Sequence, residues 1–122
     1  MIHRVAHRGN VKGRVATEEN HPKKISEVTK HYYAEVDVWF SEGSYWLGHD
    51  GPEHQVSVDF LKNIKLFCHA KNIEALHQMI KDDIHCFWHQ RDYVTVTSKG
   101  YVWKYPEVYL EGKLWGICSD WL

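Results

Sequence analysis

The strongest constraint on the fold is the spacing of the strand-like runs in the last third of the chain. Apolar runs at 84–89, 93–97, 101–105 and 114–119 predict four strands, and only a few residues connect them. Parallel neighbours in a sheet need crossovers of about a dozen residues or more. Residues 98–100 cannot form such a crossover, so the strands on either side either pair as a hairpin or belong to a distorted sheet.

The first two-thirds of the chain alternates between strands and helices. Apolar runs predict strands at 5–9, 34–40, 45–47 and 64–68. Helical spacing predicts one helix over 22–32, capped by Asn20, and a second helix that is capped by Asn72 and closes near residue 82. The predicted apolar face of the second helix contains Ile73, Leu76, His77 and Ile80. With 122 residues and no linker or repeat, the chain is expected to be a single α/β domain over 1–122.

Composition excludes several classes of protein. A content of 43% hydrophobic residues, with six Trp, seven Tyr and four Phe, supplies enough apolar area for a core and excludes disorder. The net charge of -1 gives no basic surface for a nucleic-acid backbone or an anionic membrane. No run approaches the roughly 18 apolar residues of a membrane span, and residues 1–10 lack the apolar core of a signal peptide.

The three cysteines, Cys68, Cys86 and Cys118, each lie in an apolar stretch, which predicts buried, reduced thiols in a cytoplasmic protein.

Two carboxylates lie within the predicted apolar strand 34–40. Glu35 and Asp37 are two residues apart, and because the side chains of a strand alternate, both point to the same face. Two neighbouring carboxylates among apolar residues repel each other and resist desolvation unless a cation neutralises them. A hard divalent cation such as Mg²⁺ or Ca²⁺ would do this. The alternative is an edge strand whose acidic side faces water.

Two histidines follow short predicted strands at points where the chain turns. His7 is followed by Arg8, and His49 is followed by Asp50. Two histidines beside a metal suit phosphodiester cleavage, because one can accept the proton of the attacking hydroxyl while the other protonates the leaving oxygen. Arg8 could bind a phosphate through two hydrogen bonds. Because the chain has ten histidines, each of the two could equally be polar surface.

Taken in order, these motifs resemble those of the glycerophosphodiester phosphodiesterase family and of the related phosphatidylinositol- and sphingomyelin-cleaving enzymes. The matching runs are His7-Arg8-Gly9, Glu19-Asn20, Glu35-x-Asp37 and Gly48-His49-Asp50. Weaker matches continue the order: His69-Ala70-Lys71, Trp103 within 101–105, and Ser119-Asp120. The resemblance therefore spans nearly the whole chain.

The resemblance implies a fold and a set of site residues. The implied fold is α/β, a reduced or distorted (β/α) TIM-type barrel with several outer helices missing and with its site at the carboxyl ends of the strands. The chain has about half of the roughly 200–250 residues of a full barrel, so the implied barrel is a condensed one. The implied catalytic residues are His7 and His49, as acid and base, and Arg8, as a phosphate contact. The implied metal ligands are Glu35, Asp37 and His69, and the implied substrate-binding residues are Lys71, Glu19 and Trp103.

Two residues depart from the family pattern. His69 stands where the family has a third acidic ligand. It either coordinates the metal through nitrogen, which favours Mn²⁺ or Zn²⁺ over Ca²⁺, or leaves a two-carboxylate site completed by water. Glu18 replaces a proline at a loop, which is a minor change.

The expected cofactor is a divalent cation, with Mg²⁺ or Ca²⁺ first and Mn²⁺ as the alternative. The segment with His85 and His89 is expected to be core or pocket lining rather than a zinc site, because no Cys or His pair there has finger-type spacing.

Two functions are compatible with these residues. The first is a metal-dependent phosphoric diester hydrolase that acts on a glycerophosphodiester or related phospholipid head group by histidine acid–base catalysis. The second is a binding module that keeps the phosphate pocket and turns over slowly or not at all, which His69 and the missing helices favour. In either case the expected partner is a small phosphodiester rather than a nucleic acid.

Self-association is also expected. Four tryptophans lie in or after the last four predicted strands: Trp88, Trp103, Trp115 and Trp121. Without covering helices, the outward half of the side chains on these strands would leave a large apolar patch on a monomer. A two-fold homodimer is the simplest cover. The alternative is that the irregular stretches 10–19, 51–63 and 106–113 fold back over those faces.

Overall fold

The computed structural model of the chain describes residues 2–104 and 115–119, which form nine strands and three short helices. The strands are β1 Ile2–Ala6, β2 Tyr33–Ser41, β3 Ser44–Leu47, β4 His54–Val56, β5 Leu66–Ala70, β6 Cys86–Phe87, β7 Val94–Val96, β8 Val102–Lys104 and β9 Trp115–Ser119. The helices are α1 Pro22–Val28, α2 Val58–Leu61 and α3 Ile73–Lys81, and a 3₁₀ turn over His7–Gly9 follows β1.

All nine strands belong to one mixed sheet that branches at β2. The first part of β2 pairs in parallel with β1 and β5, and its last four residues pair antiparallel with β3. From β1 the sheet continues through β9 and β8 to β7, from β5 it continues to β6, and from β3 it continues to β4. The pairs β1–β9, β5–β6 and β8–β9 are parallel, whereas β3–β4 and β7–β8 are antiparallel.

The expected TIM-type barrel is wrong. Within residues 2–104 and 115–119 the strands form a mostly β, mixed sheet that does not close into a barrel. The physical reason is that hairpins stand where an α/β barrel would need helical crossovers. Glu42 and Gly43 join β2 to β3, and both have positive φ (53° and 74°), as a tight two-residue hairpin turn requires. Of the two alternatives for residues 98–100, the structure has the hairpin, because β7 and β8 pair antiparallel on either side of these residues.

The two faces of the sheet bury different side chains. On one face, Val36 and Cys68 pack against Ile25 of α1 and Met79 of α3. On the opposite face, a second apolar cluster consists of Val5, Phe67, Phe87, Trp103 and Cys118. Because side chains alternate along a strand, Glu35 and Asp37 of β2 point to the side of this second cluster. The carboxyl ends of the parallel strands meet at one edge of the sheet, next to these carboxylates.

The buried face of α3 differs from the predicted face. Ala75 and Met79 are fully buried, whereas Ile73 and Ile80 are 61% and 58% exposed. Asn72 accounts for the difference, because its side chain accepts a hydrogen bond from Ala75 N–H and also bonds both backbone groups of Phe40 on β2. The cap therefore fixes the rotation of the helix relative to the sheet. Asn72 is polar, so the pattern of apolar residues did not show this effect.

Other predictions have mixed outcomes. The helix α1 is present but ends at Val28, and its N-cap is His21 rather than Asn20. The strand β4 and the helix α2 lie in a stretch that was predicted to be irregular. The three cysteines are buried and reduced, as predicted. Among the described residues, no helix is long and apolar enough to cross a membrane.

The structure does not test self-association. Trp103 is buried in the second cluster, and Trp88 is half-buried. Trp121 and the side chain of Trp115 lie outside the described residues. The homodimer stays a prediction, which light scattering at micromolar concentration can check against the 14.5 kDa mass of one chain.

The rotation of α3 gives a stability prediction with a control on the same helix. Met79→Ala removes a fully buried side chain and should lower the free energy of unfolding by about 2–5 kcal/mol. Ile80→Ala removes an exposed side chain and should change it by less than about 0.5 kcal/mol. Urea denaturation of both variants measures the difference, and equal losses would contradict the assigned buried face.

Candidate functional site

A cavity of about 280 Å³ lies at the edge where the parallel strands end. Seven of the sequence-predicted site residues line it: His7, Arg8, Glu35, Asp37, His49, His69 and Lys71. The remaining lining residues are Ala70, Trp88, His89 and Gln90. The structure thus brings together residues that lie up to 64 positions apart in the sequence (His7 to Lys71).

Strand pairing explains this convergence. Asp37 and His69 are register partners on the parallel strands β2 and β5, so their side chains leave the sheet on the same face. The hairpin returns β3 to the same edge, where the Gly48 N–H donates to the Asp37 carbonyl over 3.1 Å. That contact places His49, the next residue, at the cavity. On the other side of β2, β1 ends at Ala6 and delivers His7.

The centre of the site is a pair of buried carboxylates, each held by one oxygen. Glu35 and Asp37 are 2% and 1% exposed. The Arg8 backbone N–H donates to Glu35 Oε1 over 3.0 Å, and the Asn20 side-chain amide donates to Asp37 Oδ2 over 2.9 Å. The two other oxygens lie beside His69 Nδ1, with Asp37 Oδ1 at 3.1 Å and Glu35 Oε2 at 3.5 Å. Three donor atoms from three side chains therefore converge.

The charges of this cluster compensate one another. Burial opposes a charge on His69, but its hydrogen bonds to the carboxylates of Asp37 and Glu35, together with their negative charges, outweigh the effect of burial and raise the pKa of His69 to about 9. Burial likewise opposes the charge on Asp37, but the hydrogen bonds with His69 and Asn20 and the Arg8 charge lower its pKa to about 2. The protein alone thus stabilises an imidazolium–carboxylate pair.

The cluster also has the donors that a divalent cation needs. The ligand atoms of Glu35, Asp37 and His69 lie within 4.8 Å of one another. His69 Nε2 lies 2.8 Å from the His89 carbonyl oxygen, to which it can only donate, so that contact leaves Nδ1 as the nitrogen facing the carboxylates. A histidine held in this way by a backbone carbonyl is the usual arrangement for a metal ligand. Two oxygens and one nitrogen suit Mn²⁺ or Zn²⁺ better than Ca²⁺, which takes oxygen ligands.

The turn that contains Arg8 has unusual backbone geometry. Arg8 has a φ of 52°, and this left-handed conformation aims its N–H at Glu35. Its guanidinium lies between two acids, with Nε 3.3 Å from Asp37 Oδ2 and Nη1 3.5 Å from Glu19 Oε1. Gly9 has a φ of 82°, and a Cβ at this position would lie 2.7 Å from Ile25 Cδ1 of α1. The His-Arg-Gly turn therefore needs glycine at its third position.

Two predicted site residues do not line the 280 Å³ cavity. Glu19 hydrogen-bonds to Asn10 and Arg14, and it lines a smaller neighbouring cavity of about 160 Å³ that shares Arg8 and His49 with the first. Trp103 is 1% exposed and packs against Phe87, with ring centroids 4.4 Å apart. Trp103 is therefore a core residue, and Glu19 is an ion-pair partner of Arg8.

His49 and Lys71 are held differently from the central cluster. His49 Nδ1 lies 2.8 Å from Asp50 Oδ1, and the His49 side chain is 42% exposed. Lys71 follows β5, and its backbone N–H donates to the Val38 carbonyl over 2.8 Å. Among the described residues, the Lys71 ammonium forms no ion pair, in contrast to Arg8. Lys71 is therefore the cation at the cavity that no carboxylate of these residues neutralises.

Sequence reasoning missed the role of Asn20 and the lining residues Trp88 and Gln90. Besides its bond to Asp37 Oδ2, Asn20 accepts a hydrogen bond from the Asp37 backbone N–H over 2.8 Å. The Asn20 amide therefore holds both the side chain and the backbone of Asp37. Its place in the Glu19-Asn20 motif was the available signal, but Pro22, two residues later, favoured a helix cap. The pocket-lining interpretation of His89 agrees with its position in the structure.

Comparison of the chain with protein-family models, with curated proteins and with solved structures finds no match.

The contacts of Asn20 predict that its side chain stabilises the fold. Asn20→Gly removes both hydrogen bonds to Asp37, while glycine tolerates the positive φ of 59° at this position. Because a buried carboxylate oxygen and a buried N–H lose these partners, the free energy of unfolding should fall by about 2 kcal/mol or more. Gln90→Ala, at an exposed cavity residue, is the control and should change it by less than about 0.5 kcal/mol. Equal urea midpoints for the two variants would show that Asn20 is dispensable.

Proposed function

We propose that this protein is a metal-dependent phosphodiesterase that hydrolyses a glycerophosphodiester or a related phospholipid head-group phosphodiester. The observation that carries the proposal is the convergence of Glu35, Asp37 and His69 in one cavity with two further histidines, His7 and His49. The ordered motifs of the sequence support it as well. The proposal depends on the site and not on a barrel.

The cation would be held by Glu35, Asp37 and His69. When bound, a divalent cation at this position supplies a Lewis acid for a phosphoryl oxygen and lowers the pKa of a nearby hydroxyl. The remaining oxygen of each carboxylate is already occupied by Arg8 N–H or by Asn20. These bonds orient the other two oxygens toward His69 Nδ1, so the three donor atoms already face one point before a cation binds.

His7 and His49 are the proposed proton-transfer residues. Both line the cavity, and they reach it from β1 and from the β2–β3 hairpin. The contact with Asp50 holds the His49 ring by Nδ1, which leaves its Nε2 for the substrate. One histidine accepts a proton from the attacking hydroxyl while the other donates a proton to the leaving oxygen. Which histidine has which role depends on the orientation of the substrate.

The two cations have separate tasks in this scheme. Arg8 is engaged by Asp37 and Glu19, so its charge chiefly offsets the buried carboxylates. Lys71 has no such ion pair among the described residues, and its ammonium is the better candidate for the phosphate oxygens. A cavity of about 280 Å³ lies just below the range of about 300–1,000 Å³ for small-molecule sites, which favours a small head group over a whole lipid.

The second candidate is a binding module for a phosphate ligand. It is favoured by the contact between His69 and Asp37, because an imidazolium there supplies positive charge where a cation would otherwise be required. Cleavage of a panel of glycerophosphodiesters, with EDTA and with Mg²⁺, Mn²⁺ or Ca²⁺ added back, decides between the two. Turnover that EDTA abolishes supports the enzyme. Phosphodiester binding without turnover under any of these conditions supports the module.

A small phosphodiester is the proposed partner, and the three buried, reduced thiols favour a reducing compartment such as the cytoplasm.

Substitution of the two histidines tests the catalytic assignment. His7→Ala and His49→Ala should each lower turnover by about 10²–10⁴-fold, the usual contribution of one general acid or base. His31→Ala, at an exposed histidine after α1, is the control and should retain wild-type turnover. A variant of His7 or His49 that keeps full activity on a good substrate removes that histidine from the mechanism.

Calorimetric titration tests the cation site. Glu35→Gln removes one charge from the donor set and should weaken Mn²⁺ and Mg²⁺ binding by about tenfold or more, the cost seen when even an outer-shell partner of a metal site is lost. Glu42→Gln, in the exposed β2–β3 turn, is the control and should bind as the wild type does. Binding that is unchanged in Glu35→Gln would move the cation elsewhere, for example to His85 and His89.

A further inference from the structure

Cys118 lies on the same face of the sheet as the buried carboxylates. It belongs to β9, pairs in register with Val5 of β1, and is fully buried. The other two thiols, Cys68 and Cys86, belong to the apolar cluster on the opposite face. Of the three thiols, Cys118 alone is therefore positioned beside the candidate site.

Three different ligand types converge at this point. The imidazole of His7, the carboxylate of Glu35 and the thiol of Cys118 place donor atoms within 4.8 Å of one another. The three residues come from adjoining strands, because β1 lies between β2 and β9 in the sheet. His7 directly follows β1, and Cys118 on β9 pairs with Val5, which lies two residues before His7. His7 lines the cavity, which gives an ion from solvent a route to the two buried donors.

We propose that His7, Glu35 and Cys118 form a second cation site that selects thiophilic divalent cations such as Zn²⁺ and Cd²⁺. A sulfur–nitrogen–oxygen donor set suits these ions, whereas Mg²⁺ and Ca²⁺ prefer oxygen. Cys118 binds as the thiolate, and its proton is released to solvent when the cation enters. The site shares Glu35 with the Glu35–Asp37–His69 cluster and differs from it in the other two ligands.

The site has a consequence for catalysis that rests on the proposed function. A cation on the His7 imidazole prevents that ring from transferring protons, so Zn²⁺ would inhibit an activity that Mg²⁺ or Mn²⁺ supports. The binding itself is independent of any activity, and it is measured without substrate.

Cadmium titration followed by ultraviolet absorption tests the proposal, because a Cd²⁺–thiolate bond gives a charge-transfer band. We expect the reduced full chain to show this band with one equivalent of Cd²⁺. Cys118→Ser should lose the band, and His7→Gln should weaken Cd²⁺ binding by more than about tenfold. Cys86→Ser, at a thiol on the opposite face, and Asp37→Asn, at a ligand of the other cluster, should both keep the band.

Two results would overturn the proposal: no thiolate band in the wild-type chain, or a band of undiminished intensity in Cys118→Ser. Thermal denaturation of each variant checks that it is folded, and His7→Gln, at a half-buried turn residue, provides the test if Cys118→Ser does not fold. A chain that binds Cd²⁺ through Cys118 and cleaves no phosphodiester would contradict the proposed function alone. A chain that cleaves phosphodiesters with no such band would contradict this second site alone.

Discussion

Glu35 and Asp37 bring two like charges into the interior of a small sheet, and much of the surrounding structure compensates for them. Each carboxylate would cost several kcal/mol to desolvate without partners. The partners come from three separate parts of the chain: Arg8 after β1, Asn20 in the loop before α1, and His69 on β5. Charge compensation therefore links elements that are far apart in the sequence, and it does so at the edge where the cavity lies.

The loop between β1 and α1 shows how far this dependence extends. Its ends are joined by the Asn20 N–H, which donates to the Arg8 carbonyl over 3.1 Å. Within it, Asn10 accepts from the Val15 N–H and donates to Glu19, which in turn pairs with Arg8. Each of these polar contacts leads back to a residue that touches Glu35 or Asp37. The loop thus takes its conformation from the site rather than from a helix or strand of its own.

The sequence contained enough to predict that Glu35 and Asp37 share one face of a strand, but not that the sheet stays open. The two-residue period of a strand places Glu35 and Asp37 on one face whatever the fold, and the ends of parallel strands collect His7 and His69 at one edge. Closure into a barrel depends instead on connections, and the resemblance suggested a pattern of crossovers that hairpins replace. The placement of these side chains was therefore more predictable than the topology of the sheet.

Side chains with two plausible partners were the other source of error. Asn20 lies two residues before Pro22, which is typical of a helix cap, yet its amide bonds instead to the buried carboxylate and the backbone N–H of Asp37. The apolar pattern of α3 favoured Ile73 and Ile80, but the bonds of Asn72 to β2 turn Ala75 and Met79 inward. In both cases a long-range hydrogen bond determines the structure, and its partner lies too far along the chain to be identified from neighbouring residues.

Glu35 occupies a position that makes its substitution hard to interpret alone. It supplies an oxygen to the cluster with Asp37 and His69, it accepts from Arg8, and it is also within reach of His7 and Cys118. Removing its charge perturbs every one of these contacts together, and the effects need not be additive because the groups touch one another. Asp37 and Cys118 each belong to only one of the two clusters. They are therefore the residues whose substitution separates a role in binding hard cations from a role in binding thiophilic ones.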